Sequence, residues 1–184
     1  MTPEKPARRP RIYLAGPDVF FPHRDDVFRD LKNRCERAGL IGVAPIDAPI
    51  QHSAADGEDR FAQAIYDGNV AVIRDADGCI ANLQSFRGLE PDSGTVFEVG
   101  FAVALGKPVV VYGVPPGTYA ERVSAVLACE RDAKGALREK ASGNTVEGLG
   151  QRLNLMLTRS THLVPDAESA IALMARLLGG HSRG

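Results

Sequence analysis

Apolar and polar positions along this chain switch repeatedly between a strand-like and a helix-like period. "RIYLAG" at 11–16 is a short apolar run closed by Gly16 and Pro17, which reads as a strand and its turn. "HRDDVFRDLKNRCERAGL" then places Phe28, Leu31, Cys35 and Ala38 on one helical face, with Gly39 as the stop. "IGVAPI" predicts a second strand, and "GEDRFAQAIYDGNVAVIRDAD" a second helix with Phe61, Ile65, Asn69 and Val72 at helical spacing. "GCIANL" is apolar without alternation, the pattern of a strand buried on both faces. After the loop "QSFRGLEPDSG" come a helix at about 95–105, ended by Gly106, and the strand "PVVVYG". Segment 113–146 is polar and punctuated by glycine, and predicts a helix followed by an irregular loop. "VEGLGQRLNLMLT", "HLV" and "DAESAIALMARLL" complete the pattern as helix, strand and helix.

Strands alternating with helices predict an α/β fold, a parallel sheet covered on both faces and joined by right-handed crossovers. The commonest small solution is the flavodoxin-like, doubly wound five-stranded sheet in the order 2-1-3-4-5. We expect it as a single domain over 11–180, behind a disordered leader at 1–10. In that order the chain reverses across the sheet between strands one and three, so the loops leaving their carboxyl ends open a crevice. Those loops are "GPDVFFPHR" and "QSFRGLEPDSG".

Composition narrows the partner. The 184 residues carry a formal net charge of -1, which gives no electrostatic footprint for nucleic acid or for an acidic membrane surface. Nothing in the chain approaches a membrane span. Three cysteines without CxxC spacing indicate neither a disulfide framework nor a zinc knuckle, and fit a reduced, cytoplasmic protein. His23, His52, His162 and His181 lack metal-ligand spacing, so no metal site is expected. Dinucleotide and P-loop signatures are absent, and Ser93 is not in a nucleophile-elbow context. A small-molecule partner remains.

The informative residue is Glu98, set among Val96, Phe97, Val99 and Phe101. Thr95-Val96-Phe97-Glu98 fits a capping box, in which the glutamate would bond the cap residue's backbone N–H. The competing reading starts from its place one turn inside the helix after the second loop. From there its side chain, tilted toward the helix N-terminus, points back into the crevice. Asp92 lies six residues earlier, and two carboxylates at such a mouth suit acid/base or nucleophilic work at a sugar carbon. The positive end of the helix would keep Glu98 ionised.

"IYLAGPDVF" at 12–20, "DSGTVFEVGFAVALGK" at 92–107 and "LNLML" at 153–157, in this order and spacing, resemble the nucleoside 2-deoxyribosyltransferase family. The resemblance runs from about residue 11 to 165. It implies a flavodoxin-like fold with no cofactor or metal, and exchange of the base of a 2'-deoxynucleoside for a free nucleobase through a covalent sugar ester. It also implies a homo-oligomer whose active sites are completed across a subunit interface. Residue by residue, Glu98 matches the nucleophile, Tyr13 the tyrosine that holds it, and Asp92 the aspartate that orients the sugar hydroxyl or the base. An ordinary strand tyrosine and a turn-forming aspartate before Gly94 are the plainer alternatives.

Gly16 would let the backbone approach the sugar, while Asp18 and Phe20 occupy the first loop, where a stacked base fits better than a phosphate. Asn154 and Met156 resemble the residues that reach into the neighbouring site toward the sugar 5'-hydroxyl, although the leucines alternating around them also suit a packed helix. Asn69 stands where some members carry an aspartate facing the base; it cannot act as a proton-donating acid but can pair with a base edge. "PIDAPI" departs from the family pattern too, so base preference stays open. Two further readings share the scaffold: a deoxynucleoside 5'-monophosphate N-glycosidase, with Arg24 and Arg87 as phosphate partners, and a catalytically silent nucleotide-sensing domain.

Overall fold

In the computed structural model, which describes residues 8–48 and 57–179, the described residues form thirteen α-helices and β-strands beside two short 3-10 turns. In chain order these are β1 (Arg11–Ala15), α1 (Arg24–Arg37), β2 (Ile41–Val43), α2 (Glu58–Asp75), β3 (Gly78–Asn82), α3 (Ser93–Ala104), β4 (Val109–Tyr112), α4 (Tyr119–Val126), β5 (Cys129–Arg131), β6 (Leu137–Glu139), α5 (Leu155–Ser160), β7 (His162–Leu163) and α6 (Ala167–Gly179). Five strands pair in parallel in the order β2-β1-β3-β4-β7, the flavodoxin-like arrangement expected. Of the leader, only residues 8–10 are described; there Arg8 ion-pairs with Asp77 at 2.9 Å, and the Pro10 carbonyl accepts the Ile41 N–H at 2.8 Å.

Strand alternation sorts the core into two layers. Ile12, Leu14, Ile80 and Val110 face one way, onto Phe28, Leu31 and Cys35 of α1 and Ala170, Ile171 and Met174 of α6. Tyr13, Ala15, Cys79, Ala81, Val109 and Val111 face the other way, onto Ile73 of α2, Val99 and Ala102 of α3, and Leu157 of α5. Each large apolar side chain buried in this way contributes about 1.5–3 kcal/mol of transfer free energy. The parity of β1 therefore decides the chemistry: Tyr13 belongs to the layer that holds α3, and a one-residue slip would turn it away from Glu98.

Segment 113–146 differs from its expectation. The helix is there, as α4, opened by a reciprocal capping box in which Glu121 accepts the Thr118 N–H at 2.7 Å and Thr118 Oγ1 accepts the Glu121 N–H at 3.2 Å. The expected irregular loop is instead the antiparallel hairpin β5–β6. Its strands are three residues long and polar, so no apolar alternation announced them. They are held by Asp132, which accepts from Lys134 N, Ala136 N and Arg138 Nε at 2.9, 3.0 and 2.7 Å. The helix expected from "VEGLGQRLNLMLT" contracts to α5, because the chain passes Gly150 at φ 70°, where a helix cannot continue.

Candidate active site

Glu98 projects from α3 toward the sheet and meets Tyr13 from β1. The fully buried phenol donates to Glu98 Oε1 at 2.5 Å, which fixes the rotamer; the second carboxyl oxygen has no hydrogen-bond partner among the described residues. Glu98 does not cap the helix. Asp92 is the N-cap of α3: its Oδ2 accepts from the Thr95 N–H at 2.8 Å and from Thr95 Oγ1 at 2.9 Å. The capping-box reading of Thr95 and Glu98 is thereby replaced by a cap three residues earlier.

Burial also corrects the expectation that the helix terminus keeps Glu98 ionised. Desolvation by the surrounding protein pushes its pKa up to about 7, with the nearby Asp92 charge adding to the rise and the Tyr13 hydrogen bond opposing it. Asp92 has taken up a first-turn N–H for itself, and Glu98 lies deeper in the helix, where the dipole's influence has faded. The Tyr13 phenol is driven far above its ordinary range, by burial first and by the Glu98 charge second, so it remains a donor.

Around Glu98 opens a cavity of about 560 Å³, the size of a small-ligand pocket. Gly16, Phe20, Asn69, Asp92 and Glu98 all line it, so five of the residues singled out in the sequence converge there. Tyr13 stands behind Glu98. The walls are largely apolar, supplied by Val19 and Phe20 from the first loop, Pro45 and Ile46 after β2, and Phe61 and Ile65 of α2. In the sequence Phe61 and Ile65 present only a helical stripe. They remain 39% and 37% exposed, so their stripe faces the cavity rather than the core. Thr95 and Arg24 also line it, beyond the cap and the phosphate partner that their sequence contexts suggest. Asn69 Oδ1 is buried without a hydrogen-bond partner among the described residues. Pro49, named with Asp47 in the departure "PIDAPI", lies outside the described residues, as do His52 and His181.

Three expected residues lie elsewhere. Asp18 does not enter the cavity. It is buried on the α1 and α6 side, where its carboxylate accepts from Asn82 Nδ2 at 3.1 and 3.3 Å, and burial raises its pKa. Gly16 makes this contact feasible, since a Cβ there would collide with the Asp18 carboxylate and approach Asn82 Cβ to 3.0 Å. Asn154 and Met156 line a second hollow of about 520 Å³ on the opposite flank of α3, together with Ser93, Val96 and Val103. Asn154 caps α5 by accepting the Met156 N–H at 3.0 Å and donates to Glu147 Oε2 at 3.0 Å, while Met156 is 71% exposed.

A carboxylate gripped by a buried phenol, on the wall of an apolar cavity at the switch point of a flavodoxin-like sheet, defines a site for small organic substrates. The family model described as nucleoside 2-deoxyribosyltransferase matches residues 12–156, and the chain belongs to that family. The structure of a 2-desoxiribosyltransferase from Leishmania mexicana is similar at 29% identity and a TM-score of 0.71, over 91% of this chain and 97% of that one. The fold also matches that of the 2-deoxyribosyltransferase from Bacillus psychrosaccharolyticus, at 19% identity and a TM-score of 0.54, over 86% of this chain and 88% of that one. An uncharacterized protein of Schizosaccharomyces pombe is 34% identical over 122 residues, which is 65% of this chain and 57% of the relative's own length. No helix among the described residues is long and apolar enough to cross a membrane.

Proposed function

We propose that the protein is a nucleoside 2-deoxyribosyltransferase that exchanges the base of a 2'-deoxynucleoside through a 2-deoxyribosyl ester on Glu98. The observation that carries this reading is the Glu98 carboxylate held by Tyr13 at 2.5 Å on the wall of the cavity, with its other oxygen unpartnered among the described residues. Breaking an N-glycosidic bond develops positive charge on C1' and the ring oxygen, which an adjacent carboxylate both stabilises and traps. The free oxygen of Glu98 attacks C1' as the C1'–N bond breaks. The electron pair leaves with the base nitrogen, which takes a proton relayed from solvent by way of the Asp92 oxygen outside the cap. An incoming base reverses the sequence: its nitrogen attacks C1', the ester C1'–O bond breaks with its electron pair returning to Glu98, and the nitrogen's proton passes out to solvent by way of Asp92. Two inversions give net retention at C1'.

In this reading the apolar walls, including Phe20, cover the base, Asn69 meets its edge, and Gly16 admits the sugar. Asn154 and Met156 act in a neighbouring subunit's site, so the working form is a homo-oligomer. Water in place of the acceptor base would turn transfer into hydrolysis, and its exclusion is what the apolar walls supply. One observation favours a second reading, a 5'-monophosphate N-glycosidase: Arg24 lines the same cavity and could meet a phosphate.

The deciding experiment incubates the protein with a deoxynucleoside and a different free base, with Glu98→Ala alongside, and separates the products. A new deoxynucleoside, lost in Glu98→Ala, is the expected result. Free base and deoxyribose alone would favour hydrolysis and make the 5'-monophosphates the next substrates, while binding without reaction would leave the silent sensor.

A further inference from the structure

Two loops close the crevice, and they are joined through aromatic rings. Phe20, after β1, lines the cavity yet is 57% exposed. Its ring stacks on Phe86 from the loop after β3, with centroids 5.4 Å apart and planes within 20°. The Arg87 guanidinium lies 4.7 Å from the Phe86 centroid and 5.6 Å from that of Phe20, inside cation–π range of both. Neither Phe86 nor Arg87 lines the cavity.

Arg87 is moreover the single described residue other than glycine with a positive φ, at 55°. A left-handed backbone disfavours a long side chain, and such conformations persist where the surroundings hold them. The loop around it closes on itself, with the Phe86 N–H donating to the Glu90 carbonyl at 2.9 Å and Ser85 Oγ to the Leu89 carbonyl at 3.2 Å. The strained turn thus presents Phe86 and Arg87 as a backing for a ring that would otherwise swing freely at the cavity edge.

We propose that Phe86 and Arg87 are positioning residues that hold Phe20 as a fixed stacking wall for the nucleobase. The inference rests on the reading of the cavity as a base-binding site. A free phenylalanine must lose its rotamer freedom when a base stacks on it; one already clamped has lost that freedom in the folded protein, so binding is strengthened without any added contact. A two-ring purine covers more of the wall than a pyrimidine and gains more from it.

Arg87→Gly offers a clean test, because glycine accepts φ 55° readily while the guanidinium is removed. The full-length protein is compared with Arg87→Gly, Arg87→Asn and Phe20→Ala, and with the double variant of Phe20→Ala and Arg87→Gly. In Arg87→Gly, KM for deoxynucleoside and acceptor base should rise about 2–10-fold. The rise should be larger for purines, with kcat changed less than KM and the melting temperature no lower than wild type. Arg87→Asn, which also tolerates the left-handed turn, should behave alike, and in the Phe20→Ala background the Arg87 change should have no further effect. Unchanged KM in both Arg87 variants would overturn the positioning role, as would an equal effect once Phe20 is gone. Exchange by the wild type is measured first: its absence removes the reading of the cavity and this inference with it, whereas exchange with unaltered KM removes only the inference.

Discussion

A nucleophilic carboxylate has to be both accessible and ionised, and at Glu98 these demands pull apart. The protein around it that would exclude water from the ester also raises its pKa to about 7. In the proposed mechanism the reactive form is the carboxylate, so kcat/KM for base exchange should climb about tenfold per pH unit below 7 and level off above it. Tyr13 sets where that limb lies. Its hydrogen bond favours the ionised form, so Tyr13→Phe should move the limb to higher pH. It should also free the carboxylate to leave its attacking rotamer, lowering exchange at pH 7.5 by about tenfold or more. A pH series of initial rates on both proteins checks this; an unmoved limb in Tyr13→Phe would mean the phenol only packs.

At the scale of elements, α3 and its cap residue present two carboxylates to which the proposed mechanism gives different roles, and the role of Asp92 is double. Asp92 caps the helix with Oδ2 and faces the cavity. Asp92→Ala should cost about 0.5–2 kcal/mol of stability through the lost cap, or about 2–4 °C of melting temperature per kcal/mol. Asp92→Asn keeps an acceptor for the Thr95 N–H. It should melt near wild type while slowing exchange by about tenfold or more, because an amide cannot carry the proton. Thermal melts beside rate measurements separate the two roles, and an Asp92→Asn protein exchanging at the wild-type rate would confine Asp92 to capping.

The elements that place these groups were legible because their signals are local. Short apolar runs marked β1, β3 and β4, that of β3 without alternation, glycine stops marked α1 and α3, and the order of elements pointed to the switch point that brings Glu98 and Asp92 to one cavity. What stayed hidden depended on partners distant in sequence. The β5–β6 hairpin is held by the polar ties of Asp132 rather than by apolar periodicity. Asp18 turns away because Asn82, 64 residues on, takes its carboxylate. A stripe such as Phe61 and Ile65 looks the same in sequence whether it faces a core or a cavity.

Over the whole molecule, Asn154 and Met156 occupy the flank of α3 that faces away from the Glu98 cavity, so within one chain they cannot serve it. If they serve a neighbour's site, two defective proteins should repair each other. One carries Glu98→Ala with α5 intact. The other keeps Glu98 but combines Asn154→Ser, whose hydroxyl retains a cap for α5, with Met156→Ala. Each should be nearly inactive alone. In a mixed pair, the chain that keeps Glu98 receives an intact α5 from its partner and so holds one complete site, while the other site lacks both contributions. Random pairing in equal amounts makes half the pairs mixed, so activity should recover to about a quarter of the wild-type value per chain. Dissociation, mixing and reassembly followed by the exchange assay measures this directly. Recovery would show that the site is built by two chains, whereas activity that stays at the sum of the separate variants would leave α5 a structural helix and the cavity complete within one chain.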